Sequence, residues 1–353
     1  MGEMVFQDNF SKIKSIPSKL VFGKYCTEAQ FSICIPIYGV GKHLEETLLN
    51  IKYYQSHELI QTQIIISNNS GREEDDKIIV SLIEKVDLNN TIYFNTGRTL
   101  GQLNNFNRCI DLSHTEILSI LHDDDLLAKS FPVYVEKVVR FLSKHPNVGM
   151  IHENYRVFRA PKSEEEEDSK ALGTNYRIYE LSTFDITHNG STKTGIPSCG
   201  IILTKTAVKA AGGFNDQYKY IGDQFLSIAM MKKDFRIYQS NILNGYYRLD
   251  TNTSAKLDFC QGLVREGVWF RKYWRGTSSF RNAYLRFFES YLYAYDIEMR
   301  IGWFSESNPD ITVQGLDFLG KYKKIKRYGA KTVLHKLVSL LLIYQKRIIS
   351  VKI

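Results

Sequence analysis

The strongest constraint on the fold is a regular alternation of buried-strand and amphipathic-helix patterns that begins at residue 31. Residues 31–37 (FSICIPI) form a mostly apolar run of strand length, and residues 43–55 follow with Leu44, Leu48, Ile51 and Tyr54 on one helical face. Residues 63–67 (QIIIS) are a second buried strand, and residues 73–86 a second helix with Ile79, Leu82, Ile83 and Val86 inward. The acids Glu73, Glu74, Asp75 and Asp76 open that helix, where its dipole favours negative charge. Strand and helix patterns then recur at 91–95, 102–112 and 116–121. Strands alternating with helices of this length argue for a mostly parallel sheet with helices on both faces.

The pattern continues less cleanly downstream. Residues 131–145 read as a helix and 148–152 as a strand, while 161–170 (PKSEEEEDSK) is an acidic run expected to be an exposed loop. Gly212, Gly213 and Phe214 mark a turn before a helix at about 223–233, and short strands are expected at 235–239 and 245–248. After residue 255 the character changes, and 261–274 and 280–300 read as helices rich in Tyr, Phe and Arg. The expected organisation is an N-terminal extension at 1–29 without clear periodicity, an α/β domain at 30–255, and a helical C-terminal region at 256–353.

Within that frame one tripeptide stands out. Asp123, Asp124 and Asp125 directly follow the apolar run 117–121 and precede Leu126 and Leu127. Three neighbouring carboxylates repel one another unless a cation or strong donors hold them. A divalent ion such as Mg2+ or Mn2+ takes oxygen ligands and keeps positions open for phosphates. A solvated acidic loop is the plain alternative, but open α/β sheets bind ligands at the carboxyl ends of their strands.

Bulk properties narrow the classes. The 353 residues, 43% apolar and 24% charged, suit a globular protein with a substantial core. Five cysteines are scattered with no CxxC pair, which points to a reducing compartment and no zinc site. The first residues lack the apolar core of a secretory signal. The net charge of +8 is concentrated late: residues 321–352 carry Lys321, Lys323, Lys324, Lys326, Arg327, Lys331, Lys336, Lys346, Arg347 and Lys352 with no acid. Leu334, Leu337, Val338, Leu341, Tyr344 and Ile348 recur there at helical spacing. A basic helix with one apolar face fits peripheral attachment to an anionic membrane, and it fits equally a helix packed on the domain. The uncharged run 337–345 is too short to span a bilayer, and no nucleic-acid reading motif accompanies the basic residues.

Taken in order, several landmarks resemble the family 2 glycosyltransferases with a GT-A, Rossmann-like fold. They are Ile35-Pro36-Ile37-Tyr38-Gly39, then residues 64–70 (IIISNNS), then Asn95-Thr96-Gly97 with Gln102, Asn105 and Asn107. Residues 122–127 (HDDDLL), Gly212-Gly213-Phe214-Asn215-Asp216 with Gly222-Asp223, and Tyr247-Arg248-Leu249-Asp250 complete the series. The resemblance covers about residues 31–254. It implies that Pro36, Tyr38 and Gly39 embrace the nucleotide, that Asn69 with Asn68 reads the base, and that Arg98 and Gln102 line the same site. It further implies that Asp123 touches the ribose, that Asp124, with Asp125, holds Mn2+ or Mg2+ at the diphosphate, and that Arg248 lies near that diphosphate. Asp223 matches the general base, which implies an inverting displacement, and residues 251–254 match a mobile closing loop.

The chain departs from the family pattern in places. The usual Asp-Asp-Gly-Ser is Asn68-Asn69-Ser70-Gly71, the usual Glu-Asp is Gly222-Asp223, and His122 occupies the first acid of the DxD motif. Asp250 stands where a histidine is frequent and is either a further metal ligand or a turn cap. Asp223 alone could equally be a helix N-cap. The expected activity is transfer of a sugar from a UDP-, dTDP- or GDP-sugar to a glycan or lipid-linked acceptor in bacterial surface polysaccharide or glycolipid assembly. The expected location is cytoplasmic, at the inner face of the membrane, with no nucleic-acid partner. The alternatives are a non-catalytic nucleotide-sugar-binding scaffold and a nucleotidyl- or phosphotransferase; for the latter a GxxxxGK[ST] loop is absent.

Overall fold

The computed structural model describes residues 6–158, 176–187, 199–248, 256–273 and 351–352, with isolated positions between 283 and 298. The chain forms two compact units, the larger from residues 4–178, 197–248 and 351–353 and the smaller from 1–3, 179–196 and 249–350.

The larger unit opens with α1 (Asn9–Lys14) and β1 (Lys19–Phe22). The expected alternation follows as β2 (Phe31–Ile37), α2 (Leu44–His57), β3 (Thr62–Asn68), α3 (Glu73–Val86), β4 (Thr91–Asn95), α4 (Gln102–Leu112) and β5 (Ile117–Ile120). Strands β2 to β5 are buried along their whole length, as continuous apolar runs covered on both faces must be. They lie parallel in the order β4-β3-β2-β5. Helix α2 buries Leu44, Leu48, Ile51 and Tyr54, and α3 buries Ile79, Ile83 and Val86. Two of the acids that open α3 do more than suit its dipole. Asp76 accepts from the Tyr93 hydroxyl and from Asn95 Nδ2 (2.7 Å), and Asp75 accepts from Ser70 Oγ (2.6 Å) and Arg72 Nε (2.9 Å).

Beyond β5 come β6 (Leu126–Leu127), α5 (Phe131–Leu142), β7 (Val148–Phe158) and β8 (Arg177–Leu181), then α6 (Thr183–Thr187), β9 (Ile201–Thr204) and α7 (Lys205–Ala210). They are followed by α8 (Gly222–Met231), β10 (Arg236–Arg248), α9 (Leu257–Tyr273) and β11 (Val351–Lys352). The sheet continues from β5 through β9, antiparallel to both of its neighbours, to β7 and the parallel β10. Next to β10 is β8, whose Arg177 and Ile178 pair antiparallel with β11. The short β6 runs antiparallel to β10.

Three expectations change. The strand read at 148–152 extends to Phe158. The two short strands read at 235–239 and 245–248 are one strand, β10. Polar Ser240 and Asn241 mask its continuity in the sequence. In the fold the Ser240 hydroxyl accepts from Ile242 N (3.0 Å), the Asn241 amide accepts from Arg177 N (2.9 Å), and the pairing with β7 passes through irregular register at this point.

Residues 1–29 read as an extension, yet α1 and β1 belong to the larger unit. Strand β1 adds an antiparallel edge beside β4. Phe10 and Ile13 of α1 are buried, and Arg108 of α4 donates through Nη2 to Ile13 O (2.6 Å) and to Ile16 O. Asn9 reaches Gly212 O with both its backbone N–H (2.9 Å) and its Nδ2 (3.1 Å). Gly212 has φ +84°, and a Cβ there would come within 2.2 Å of Gln7 O, so only glycine lets the two segments pass.

In the smaller unit, α6 lies against α9, which buries Cys260, Val264 and Phe270 at helical spacing. The acidic run 161–170, most of the helix read at 280–300 and nearly all of the basic tail lie outside the described residues. No helix among the described residues is long and apolar enough to cross a membrane.

Candidate active site

The chain leaves β5 at Ile120, and Leu121 N still bonds to Cys34 O (2.9 Å) before residues 122–125 turn away at the carboxyl edge of the sheet. Three supports fix this turn. From α2, the Thr47 hydroxyl is within 3.1 Å of both the Asp123 and the Asp125 carbonyl oxygens. From the end of β10, Arg248 donates its backbone N–H to Asp125 Oδ1 (2.8 Å) and its Nε to Asp124 O (2.8 Å). From within the turn, His122 Nδ1 lies 3.2 Å from Asp125 Oδ2. Gly41 makes room on the remaining side, because a Cβ at that position would meet the Asp123 carboxylate at 2.7 Å.

His122, Asp124 and Asp125 each offer a donor atom, and these atoms all lie within 4.8 Å of one another. One imidazole nitrogen and two carboxylates at that spacing fit a single divalent ion, Mn2+ accepting the mixed N/O set more readily than Mg2+. Asp250 lies outside the described residues.

Asp223 stands in the first turn of α8, whose N-cap position is Ile221, so the capping alternative for this carboxylate does not hold. Helix α4 sets the approach to it. Asn107 Nδ2 donates to Phe214 O and Asn107 Oδ1 accepts from Phe214 N, both at 2.8 Å, which clamps the turn leading into α8. A Cβ on Gly213 would sit 2.5 Å from Asn107 Oδ1. Leu103, also on α4, lies close to Gly222, its methyl groups 3.1 and 3.2 Å from where a Cβ would stand. Phe106 of α4 stacks on His122 with ring centroids 5.4 Å apart.

Electrostatics tie these groups together. Burial pushes Asp223 up to about 7, and the charge of His122 draws it down only in part. Burial would lower His122, but its hydrogen bond and charge interaction with Asp125, with the charges of Asp124 and Asp223, lift it to about 9. Burial and the neighbouring Asp124 push Asp123 up to about 6 against the pull of His122. The Asp123–Asp125 turn and Asp223 therefore share one electrostatic environment, with His122 acting on both.

The other expected residues sort by exposure. Pro36 is buried in β2, and beyond its end Tyr38 is 62% exposed. Gly39 adopts φ +74° and donates its N–H to Asn68 Oδ1 (2.9 Å). Asn68 also accepts from Ser70 N and donates to the Tyr93 hydroxyl (3.1 Å). Asn69 accepts from Leu100 N and donates to Gly101 O (3.2 Å). Both amides thus fasten the loops after β2 and β4, and neither projects freely as a base-reading group. Arg98 and Gln102 are exposed near those loops. Arg248, expected near the diphosphate, has no exposed side chain.

Glu46, Thr47, Gly41 and Asn107 were not among the expected site residues. Glu46 accepts from Arg248 Nη2 at 2.6 Å across 202 residues of sequence. As an acid in the first turn of a helix it reads as dipole complement, and nothing local announces a partner so distant. The signal for Asn105 and Asn107 was their place in the motif; Asn105 donates to Ile37 O (3.1 Å) and Ser67 O (3.0 Å) and so ties α4 to β2 and β3.

Comparison with known proteins agrees with this geometry. No curated protein sequence matches the chain. The structure is similar to residues 1–349 of S. aureus TarS in complex with UDP-GlcNAc (14% identity, 84% of this chain and 79% of that chain, TM-score 0.50). It is also similar to the Pyrobaculum calidifontis mannosyltransferase PcManGT in complex with GDP-Man and Mn2+ (11% identity, 94% and 91%, TM-score 0.52). These likenesses bear on fold and show the GT-A architecture. The sequence profile described as glycosyl transferase family 2 matches residues 32–208, half of the chain and nearly the whole stretch from β2 to α7, and the chain belongs to that family.

Proposed function

We propose that the chain is an inverting glycosyltransferase that moves a sugar from a nucleoside diphosphate sugar to an acceptor hydroxyl. The observation that carries this reading is Asp223, a carboxyl held near neutrality and coupled through His122 to the Asp123–Asp125 turn. A carboxylate poised near pH 7 is suited to take a proton from an attacking hydroxyl. With Asp223 facing the acceptor and the acid turn facing the diphosphate, attack and departure occur on opposite sides of the anomeric carbon, which inverts it. The acceptor oxygen bonds to that carbon, its proton passes to Asp223, and the nucleoside diphosphate leaves with the electron pair of the broken C–O bond.

The exposure of Tyr38, Arg98 and Gln102 supports a nucleotide side for the site. Tyr38 offers an exposed aromatic face to a base, Pro36 and Gly39 shape the loop beneath it, and Asn68 and Asn69 hold that loop and the loop after β4 in register. The exposed Arg98 and Gln102 are assigned to the same nucleotide, with Asp123 as the ribose contact. Asp124 and Asp125, joined by His122, would hold Mn2+ or Mg2+, which when bound offsets the charge that develops on the diphosphate. Asp250 is proposed as a further ligand. The likeness to structures with UDP-GlcNAc and GDP-Man supports a UDP-, dTDP- or GDP-sugar donor. The composition of the basic tail supports a glycan or lipid-linked acceptor of surface polysaccharide or glycolipid assembly, met at the inner face of the membrane.

Nucleotide-sugar hydrolysis with Mn2+ present tests the catalytic reading against a scaffold that only binds. Turnover by the parent, with losses of about a hundredfold or more in Asp124→Ala and in Asp223→Ala, is the expected result. An Asp223→Ala protein that turns over like the parent removes the base assignment. A parent that binds nucleotide sugars and never cleaves them makes the protein a scaffold.

A further inference from the structure

The loops that follow the parallel strands β2, β3 and β4 meet at one corner of the sheet's carboxyl edge. Gly39 N donates to Asn68 Oδ1 (2.9 Å), and Asn69 bonds to Leu100 N and Gly101 O. A Cβ on Gly71 would stand 2.9 Å from Arg98 Cα, so the chain after β3 lies against the chain after β4. Open α/β sheets take their ligands at such an edge. Yet the two amides expected to read a base there are already engaged at both ends. Asn68 accepts from Gly39 N and Ser70 N and donates to the Tyr93 hydroxyl, while Asn69 accepts from Leu100 N and donates to Gly101 O.

Arg72 has donors to offer at the same corner. Its main chain is fixed on both sides, the N–H donating to Ser70 Oγ (3.2 Å) and the carbonyl accepting from Asn95 Nδ2 (3.3 Å). Its side chain is 52% exposed but anchored, because Nε donates to Oδ2 of the buried Asp75 at 2.9 Å. Ser70 Oγ holds that same carboxylate oxygen at 2.6 Å. A Cβ on Gly39 would collide with Arg72 Nη2, which places the guanidinium against the Gly39 turn, next in the chain to the exposed Tyr38. Nη1 and Nη2 have no protein acceptor among the described residues, so the forked end of the group is open to a ligand.

A guanidinium donates and does not accept, so it suits a base edge with two acceptors side by side. Guanine has that edge in O6 and N7, and arginine is its usual partner. Uracil and thymine place an N–H donor between their carbonyls, and adenine sets a donor amine beside N7. Cytosine also has adjacent acceptors, N3 and O2, but its smaller ring gives Tyr38 less face to stack on.

We propose that Arg72 reads the base of the donor and selects guanine, with Nη1 and Nη2 donating to O6 and N7. This rests on the nucleotide-sugar reading given above.

Calorimetric titration of the full chain with Mn2+ present tests it, using GDP, UDP, dTDP, CDP and 7-deaza-GDP, in which a C–H replaces N7. Parent and Arg72→Met are compared, and thermal melts report folding. In the parent, GDP should bind about tenfold or more tighter than the three pyrimidine nucleotides and than 7-deaza-GDP. Arg72→Met should lose that margin by weakening GDP about tenfold while the other four change little. A parent that binds UDP, dTDP, CDP or 7-deaza-GDP as tightly as GDP overturns the inference, and this comparison needs no variant to fold. A folded Arg72→Met that keeps the preference for GDP overturns it too. So does one that weakens all five nucleotides equally, which assigns the guanidinium to the diphosphate. A parent that binds none of the five removes the nucleotide-sugar reading and this inference with it.

Discussion

At the residue scale, Asp223 and His122 are both shifted upward, but from different causes. Both are withdrawn from bulk water, which penalises either charge, but only His122 has an anionic hydrogen-bond partner to reverse the penalty. The consequence for stability has a definite sign. A carboxyl whose folded value is raised to about 7 contributes fully below its unfolded value, and the contribution is lost as pH rises through 7. In the metal-free protein, Asp223→Asn should therefore melt progressively above the parent as pH goes from 5 to 8. The gap should reach about 2 kcal/mol, discounted for the remaining solvent contact of the carboxylate. Thermal melts in chelator across that range check it, and a gap that stays constant with pH sinks it. His122 follows a separate window: its contribution is whole below its unfolded value of 6.5, declines as pH rises above that value and is gone past about 9.

At the element scale, α4 organises the site more than any strand does. One face of it binds the ends of β2 and β3 through Asn105, another clamps the turn before α8 through Asn107, and Leu103 and Phe106 touch Gly222 and His122. Asn107→Ala removes two buried hydrogen bonds and leaves Phe214 N and O without those partners. A loss of about 2–4 kcal/mol is expected, with turnover falling alongside because the first turn of α8 is no longer fixed. Denaturant unfolding gives the stability change, and a loss below about 0.5 kcal/mol would show the clamp to be dispensable.

What the sequence disclosed follows the same division. Helices α3 and α4 and strand β4 were legible to the residue, because Ile79, Ile83 and Val86 keep helical spacing and the run at 91–95 has clear limits. The single strand β10 was not, because Ser240 and Asn241 look like a break until their side chains are seen bonding to backbone. The acid turn was visible as three carboxylates after an apolar run. Its supports were not, since Thr47 and Arg248 reach it across 76 and 124 residues, Glu46 meets Arg248 across 202, and Glu46 and Thr47 look ordinary in their own segment.

At the scale of the whole molecule, the charge is divided: acids gather at the carboxyl edge of the sheet while residues 321–352 hold ten cations and no acid. If that tail attaches the enzyme to an anionic surface, the full chain should sediment with phosphatidylserine-containing vesicles at low salt and be released as salt rises. Deleting residues 321–353 should abolish co-sedimentation while the larger unit stays folded by circular dichroism. Equal sedimentation of the truncated chain would rule the tail out.

The anchoring of α1 has a consequence for how the protein comes into being on the ribosome. Asn9 waits for Gly212, and Lys12 for Asp216 at 3.0 Å, so α1, which can meet Arg108 of α4 95 residues on, is not closed on its other side until roughly two hundred further residues have emerged. At about 5–20 residues per second that is a delay on the order of 10–40 seconds. Throughout it the contacts of α1 with residues 212–216 are unmade, so this segment is among the last of the larger unit to be sealed.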